Sequence, residues 1–173
     1  MKRLILGGVR SGKSRLAQQL ADNSGMPVTY LATALPDDDE MRERIAAHQT
    51  QRPDSWQLVE EPYQLASALQ QQAQPQRCLL VECLTLWLTN LLLDADPMRC
   101  KREQQALLEI LPELPGEIIL VGNETNLGVI PMGRLSRRFC DESGILHQAI
   151  AGLCDEVLLT VAGLPLKLKG ETD

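Results

Sequence analysis

The sequence predicts an α/β protein: a mainly parallel sheet with helices on both faces and an edge strand at the C-terminal end. Three observations carry that expectation. The apolar runs at 4–6, 28–33, 78–81, 118–121 and 157–161 are unbroken rather than alternating, as in strands buried on both faces. Stretches of helical character separate them, and crossovers of that length join parallel strands. The first run also leads straight into Gly7-Gly8-Val9-Arg10-Ser11-Gly12-Lys13-Ser14, which has the spacing G-x-x-x-x-G-K-S. A strand, a phosphate-cradling loop and a helix in that order indicate the P-loop NTPase-like, RecA-like three-layer fold.

The elements follow in order. After the loop, residues 15–21 are good helix material, with Leu16, Ala17 and Leu20 on one face. Gly25-Met26-Pro27 breaks the chain before the strand at 28–33. Residues 37–51 read as a helix opened by an acidic run, which suits a helix N-terminus. A short strand at 56–59 and a polar-faced helix at 63–72 come next, the latter running into a Gln-rich end. The strand at 77–82 leads into an apolar helix through Leu93, and a more polar helix covers roughly 98–111. Pro112 and Pro115 bracket a loop before the strand at 117–123. Residues 134–154 read as mostly helical with a break near Gly144. A strand at 157–161 and an alternating edge strand at 164–169 close the chain. No repeat or second domain is visible, so residues 1–173 read as a single nucleotide-binding domain.

Composition narrows the function. The chain is 44% hydrophobic over 173 residues, enough for a core without staples. Seventeen Lys and Arg against 23 Asp and Glu give a net charge of −6, and only 3% of residues are aromatic. A nucleic-acid surface would need a basic stripe and stacking rings, so no nucleic-acid partner is expected. Arg134, Arg137 and Arg138 gather locally, which reads first as a solvated helix face and second as an anion site. Cys78, Cys83, Cys100, Cys140 and Cys154 are scattered, without a C-x-x-C pair, so neither zinc nor a disulfide framework is indicated. Neither a signal peptide nor a membrane span is evident, and the expected location is the reducing cytoplasm.

The loop predicts nucleoside triphosphate binding. Its backbone N–H groups wrap the phosphates, Lys13 reaches the β/γ oxygens and the Ser14 hydroxyl meets Mg²⁺. In such sheets the ligand lies beyond the carboxyl ends of the strands. Glu82 closes an apolar strand there as a Walker B acid does, so Ser14 and Glu82 form the candidate metal pair, with Glu82 read as acting through a water. Asn123 and Glu124 end another strand, and Ala32-Thr33-Ala34 another. His48 shares a helical face with Met41 and Ile45, with Arg44 before it and Arg52 after it. A histidine on an apolar face is commonly a core group. The functional alternative is a neutral imidazole attacking phosphorus, with arginines stabilising the phosphoryl charge. His147 lacks such neighbours and reads as structural or surface.

The residues also resemble a known family. Gly7 to Ser14, Leu31-Ala32-Thr33, Arg44-Ile45-Ala46-Ala47-His48 with Arg52-Pro53 and Trp56, and Glu60-Glu61-Pro62 are similar to the opening of the bifunctional adenosylcobinamide kinase/adenosylcobinamide-phosphate guanylyltransferases. The likeness continues through Glu82 to Leu92, Asn123-Glu124, Gly128-Val129-Ile130-Pro131, Arg134-Leu135 and Ala162-Gly163-Leu164-Pro165-Leu166-Lys167. Thr125 and Asn126 depart from the Val-Gly common in the family, and residues 139–144 are less typical of it.

The resemblance implies two reactions of cobalamin biosynthesis: phosphorylation of adenosylcobinamide by a nucleoside triphosphate, then GMP transfer from GTP to give adenosylcobinamide-GDP. It implies that His48 carries the GMP. Nucleotide contacts carry over to Gly7, Gly8, Val9, Arg10, Ser11, Gly12, Lys13 and Ser14, to Ala32, Thr33 and Ala34, to Gln49, Thr50, Gln51 and Arg52, and to Glu60 and Glu82. ATP, GTP and the corrinoid are then substrates used with Mg²⁺, no tightly bound organic cofactor is implied, and the assembly is a homo-oligomer with a trimeric arrangement. The rival expectations are another P-loop small-molecule kinase without guanylyltransferase activity and a non-catalytic nucleotide-binding regulator.

Overall fold

The first strand, β1 (Lys2–Gly7), is central because it is apolar on both sides: Leu4 and Leu6 belong to one core, Ile5 to the other. The same alternation divides Leu79 and Val81 from Cys78 and Leu80, and Ile118 and Leu120 from Ile119 and Val121. The structure, a computed structural model, describes residues 1–36, 39, 42 and 53–171. Its further elements are α1 (Lys13–Asn23), β2 (Val28–Ala32), β3 (Gln57–Glu60), α2 (Leu65–Gln72), β4 (Cys78–Glu82), α3 (Leu84–Leu93), α4 (Arg99–Ile110), β5 (Glu117–Asn123), α5 (Arg134–Leu153), β6 (Glu156–Val161) and β7 (Leu164–Lys169).

The seven strands form one sheet in the order β3-β2-β4-β5-β1-β6-β7. All adjacent pairs are parallel except β6 and β7, which are antiparallel. Helix α1 buries Ala17 and Ala21 against the Ile5–Leu80–Ile119 side, which Trp56 also covers. On the opposite side α2, α3, α4 and α5 cover Leu4, Leu79, Val81, Ile118 and Leu120. The layers and the C-terminal edge strand match the sequence expectation. Each fully buried leucine contributes about 1.5–3 kcal/mol relative to exposure. Trp87 of α3 belongs to the larger core with no exposed surface, and its Nε1–H donates 2.8 Å to Tyr63 C=O.

Two local expectations change. Helix α5 runs unbroken through Gly144. The Cβ position of that glycine would lie 3.0 Å from Asn126 Nδ2, so the glycine admits a neighbouring loop instead of ending the helix. Helix α2 starts at Leu65 rather than 63, because the Glu61 carboxylate accepts from Tyr63 N (2.9 Å) and Gln64 N (2.8 Å) in the turn before it. The helix expected at 37–51 lies outside the described residues, apart from isolated positions. His147 is buried on α5, so of its two readings the structural one holds. Arg134, Arg137 and Arg138 are exposed.

Candidate active site

The parallel pairing brings chemistry from distant parts of the chain to one edge. Ala32 of β2 is in register with Glu60 of β3 on one side and Glu82 of β4 on the other. Gly7 of β1 is in register with Asn123 of β5 and Thr160 of β6. All are strand carboxyl ends, where ligands of parallel α/β sheets collect.

Between β1 and α1 the chain makes the tight loop that its glycines foreshadow. Gly12, the residue before the helix, has φ +97°, and a Cβ there would lie 3.1 Å from Gly163 Cα. Gly7 is closer still to its surroundings: a Cβ would fall 2.3 Å from Thr160 Oγ1 and 2.4 Å from Ser11 Oγ. Arg10 also takes a left-handed φ, +56°, and this curvature brings Ser11 N to 3.2 Å from Gly8 C=O. Lys13 folds over the loop, its Nζ donating 3.2 Å to Gly8 C=O. Burial pulls its pKa below the usual lysine value, while the negative charge of Glu82 pushes the other way.

Ser14 and Glu82 meet across 68 residues of sequence, the serine hydroxyl donating to the Glu82 carboxylate. A hydroxyl and a carboxylate are oxygen groups of the kind a hard divalent cation takes, directly or through its bound water. Mg²⁺ ordinarily uses one or two protein carboxylates and fills its shell with substrate phosphates and water. The pair therefore fits Mg²⁺ bound with a nucleotide. Among the described residues no group of three or more His, Cys, Asp or Glu forms a stand-alone metal site.

Thr33 binds the β2 and β4 ends together. Its hydroxyl donates to Cys83 C=O (2.7 Å) and accepts from Cys83 N (2.8 Å), and its own N–H donates to Glu82 C=O (3.2 Å). Its carbonyl accepts from buried Asn90 Nδ2 at 2.8 Å, and that same amide also reaches Pro62 C=O at 3.1 Å. On the other side of the loop, Glu124 N donates 2.9 Å to Gly7 C=O and Asn123 N donates 2.7 Å to Thr85 Oγ1. Thr85 and Asn90 are signalled only as polar residues in a strongly apolar helix and as members of the Glu82–Leu92 stretch of the resemblance, neither of which names a partner. Asn126 Nδ2 lies 3.2 Å from Cys140 C=O and 3.4 Å from Ser143 Oγ, so the two stretches that depart from the family pattern touch each other.

Of the sequence candidates, the structure gathers Gly7, Gly8, Val9, Arg10, Ser11, Gly12, Lys13 and Ser14 in one loop and brings Glu82 onto Ser14. Ala32, Thr33 and Ala34 follow the neighbouring strand end. Glu60 sits exposed at the next one. His48, Gln49, Thr50, Gln51 and Arg52 lie outside the described residues, in the connection between β2 and β3.

A strand-to-helix glycine loop, its lysine and its serine facing an acid at the next-but-one strand define a P-loop nucleotide-binding α/β protein. Comparison with known proteins makes this more specific. The model of the family described as cobinamide kinase / cobinamide phosphate guanyltransferase matches residues 3–168, and the chain belongs to that family. It is 62% identical over 171 residues to the bifunctional adenosylcobalamin biosynthesis protein CobP of Pseudomonas aeruginosa, covering 99% of each chain. It is 37% identical over 179 residues to the Escherichia coli K12 protein CobU, which bears the same bifunctional description, covering 96% of this chain and 98% of the relative. In overall shape it is similar to the PH0250 protein of Pyrococcus horikoshii OT3, with TM-score 0.54 and 11% identity over 99% of this chain and 87% of that one. That last likeness concerns the fold alone. Among the described residues no helix is long and apolar enough to cross a membrane.

Proposed function

We propose that the chain, acting as a single nucleotide-binding domain, carries both activities of its family on one phosphate loop. In the first reaction the corrinoid alcohol oxygen attacks the γ-phosphorus of a nucleoside triphosphate. The bond to the β–γ bridging oxygen breaks, the nucleoside diphosphate departs and the hydroxyl proton is released. In the second, a ring nitrogen of neutral His48 attacks the α-phosphorus of GTP and pyrophosphate departs. The corrinoid phosphate oxygen then displaces histidine, forming adenosylcobinamide-GDP.

The observation that carries this reading is the meeting of Ser14 and Glu82 beside Lys13 at the sheet edge. Lys13 neutralises charge on the leaving phosphates in both transfers, and the loop N–H groups hold them in place. Mg²⁺ bound at Ser14 and Glu82 would supply further positive charge to the phosphate oxygens. Ala32, Thr33, Ala34, Glu60 and the Gln49–Arg52 segment complete the proposed nucleotide contacts. Arg52 assists the histidine step through its charge. The proposed assembly is a homotrimer in the cytoplasm, acting on small molecules and not on nucleic acid.

The deciding experiment is incubation with α-labelled GTP followed by peptide mapping. The label is expected on the peptide containing His48, as an acid-labile, base-stable adduct. His48→Ala is expected to abolish both the adduct and adenosylcobinamide-GDP while retaining much of the kinase rate. Label persisting in His48→Ala would assign the nucleophile elsewhere. Kinase turnover with no adduct in the native protein would favour a P-loop kinase without guanylyltransferase activity.

A further inference from the structure

The segment Ala162-Gly163-Leu164-Pro165 is left without a role by the chemistry above, yet its turn packs directly on the phosphate loop. Strands β6 and β7 are joined through Ala162 (φ +52°) and Gly163 (φ +82°), two consecutive left-handed residues of the kind that close a twisted two-residue hairpin. From this turn Gly163 N–H donates 2.8 Å to Ser11 C=O. Two residues before the turn, Thr160 is buried, with its Oγ1 3.0 Å from Ser11 Oγ and donating 3.0 Å to Leu6 C=O. The hairpin therefore grips both the outgoing end of β1 and the apex of the loop.

The physical need for such a grip lies in the loop's carbonyls. A loop that cradles phosphate must direct N–H groups inward, and any carbonyl swinging in would repel the anion. Here the carbonyls of Gly7, Gly8, Ser11 and Gly12 accept from Glu124 N, Ser11 N, Gly163 N and Leu16 N respectively. Three of these four bonds come from the residue that follows β5, from the loop itself and from α1. The bond at Ser11 comes from the hairpin alone. Gly7 leaves no room for adjustment, since even a methyl group would collide with the Thr160 and Ser11 hydroxyls.

We propose that Thr160 and Gly163 are positioning residues for the phosphate loop, holding Ser11 so that the loop is already curved for a nucleoside triphosphate before it binds. Neither touches the reacting atoms. Both act through Ser11. The inference rests on the proposed nucleotide role of the loop and assigns the β6–β7 hairpin as the element that preorganises it.

The test compares Thr160→Val, which keeps the shape and loses the hydroxyl, with Thr160→Ser, which keeps the hydroxyl. The readouts are the Kd of a non-hydrolysable GTP analogue, KM and kcat for nucleotide, and thermal stability of the folded protein. Thr160→Val is expected to raise Kd and nucleotide KM together by about tenfold, the order expected for loss of a buried hydrogen bond. The KM for corrinoid is expected to stay unchanged, and Thr160→Ser to return nucleotide affinity towards the native value. A merely structural residue would lower the melting temperature and leave Kd unmoved, and that result overturns the proposal. If Thr160→Val does not fold, Gly163→Ala carries the same comparison. Its N–H is kept but its φ of +82° is strained by a Cβ, so Kd is expected to rise, and an unchanged Kd overturns the idea equally. Failure of the native protein to bind the analogue would instead count against the nucleotide reading itself.

Discussion

Replacing Lys13 by methionine keeps most of the side-chain volume and deletes one positive charge from the phosphate loop. The fold should tolerate the change. The ammonium donates one 3.2 Å bond to Gly8 C=O in a half-buried setting that water still reaches, so the stability loss is about 1 kcal/mol or less. The catalytic loss should be far larger. Negative charge accumulates on a nucleoside diphosphate in one reaction and on pyrophosphate in the other, and on the proposed reading Lys13 faces both. Deleting one preorganised charge donor of this kind costs about 10²–10³ in rate, or about 3–4 kcal/mol of transition-state stabilisation. The native enzyme carries a further signature. Burial lowers the Lys13 pKa and Glu82 only opposes that shift, so the ammonium proposed to act here is lost at a lower pH than that of an ordinary lysine. The kcat/KM for nucleotide, which reports the free enzyme, should therefore fall earlier on the alkaline side, and Lys13→Met should lack that limb. The assays are the initial rate of corrinoid phosphorylation and the rate of adduct formation from α-labelled GTP, with a thermal melt to verify folding. A correctly folded variant with near-native rates in both assays refutes the role assigned to Lys13. A loss confined to one assay refutes the sharing of one loop.

Glu82→Gln should lower turnover by about 10²-fold with only a small change in nucleotide affinity, because the loop backbone still holds the phosphates; a collapse of affinity with normal turnover of bound nucleotide would reverse the assignment. His147 is buried beside Gly122 with its pKa pushed down by burial and partly restored by Glu124. The folded protein thus keeps it neutral where the unfolded chain, titrating at about 6.5, takes up a proton. Stability should be fully present above that pH and decline as the pH falls from there towards the lower folded value. Urea unfolding at several pH values checks this, and an undiminished acid slope in His147→Leu would show that the slope comes from other groups.

The sheet was legible because burial on both faces leaves an unmistakable mark: Leu79-Leu80-Val81 and Ile118-Ile119-Leu120-Val121 are continuous apolar runs split between two cores. The helix break expected at Gly144 failed because one glycine costs a helix only about 1 kcal/mol, and here its missing side chain makes room for Asn126. In the site, the contiguous part was readable and the assembled part less so. Gly7 to Ser14 declares itself by spacing, and Glu82 by its place after an apolar strand. Thr33, Asn90 and Thr160 act on backbone carbonyls of other elements, and no local spacing encodes such partners. His48 is singled out by its helical face and arginine neighbours, but a histidine on such a face is more often a core group, and it is the family resemblance that implies the role of GMP carrier.

Two transfers at different phosphorus atoms of a triphosphate need not require a loop that moves. In the kinase reaction the departing group carries the α- and β-phosphates, and in guanylyl transfer it carries the β- and γ-phosphates. The β-phosphate belongs to both leaving groups, so a loop whose charge and N–H groups centre there serves both reactions from one position. The ties that fix Gly7, Gly8, Ser11 and Gly12 suit such a stationary cradle. On the proposed reading, the choice between reactions passes to whichever nucleophile is brought up: a corrinoid hydroxyl towards the γ-phosphorus, or His48 towards the α-phosphorus. The residues that distinguish the two chemistries should then lie outside the loop, in the connection between β2 and β3 that carries His48 and in the segment after β5 that starts at Glu124. Substitutions there should separate the two activities, whereas substitutions at Lys13, Ser11 or the hairpin behind it should depress both together.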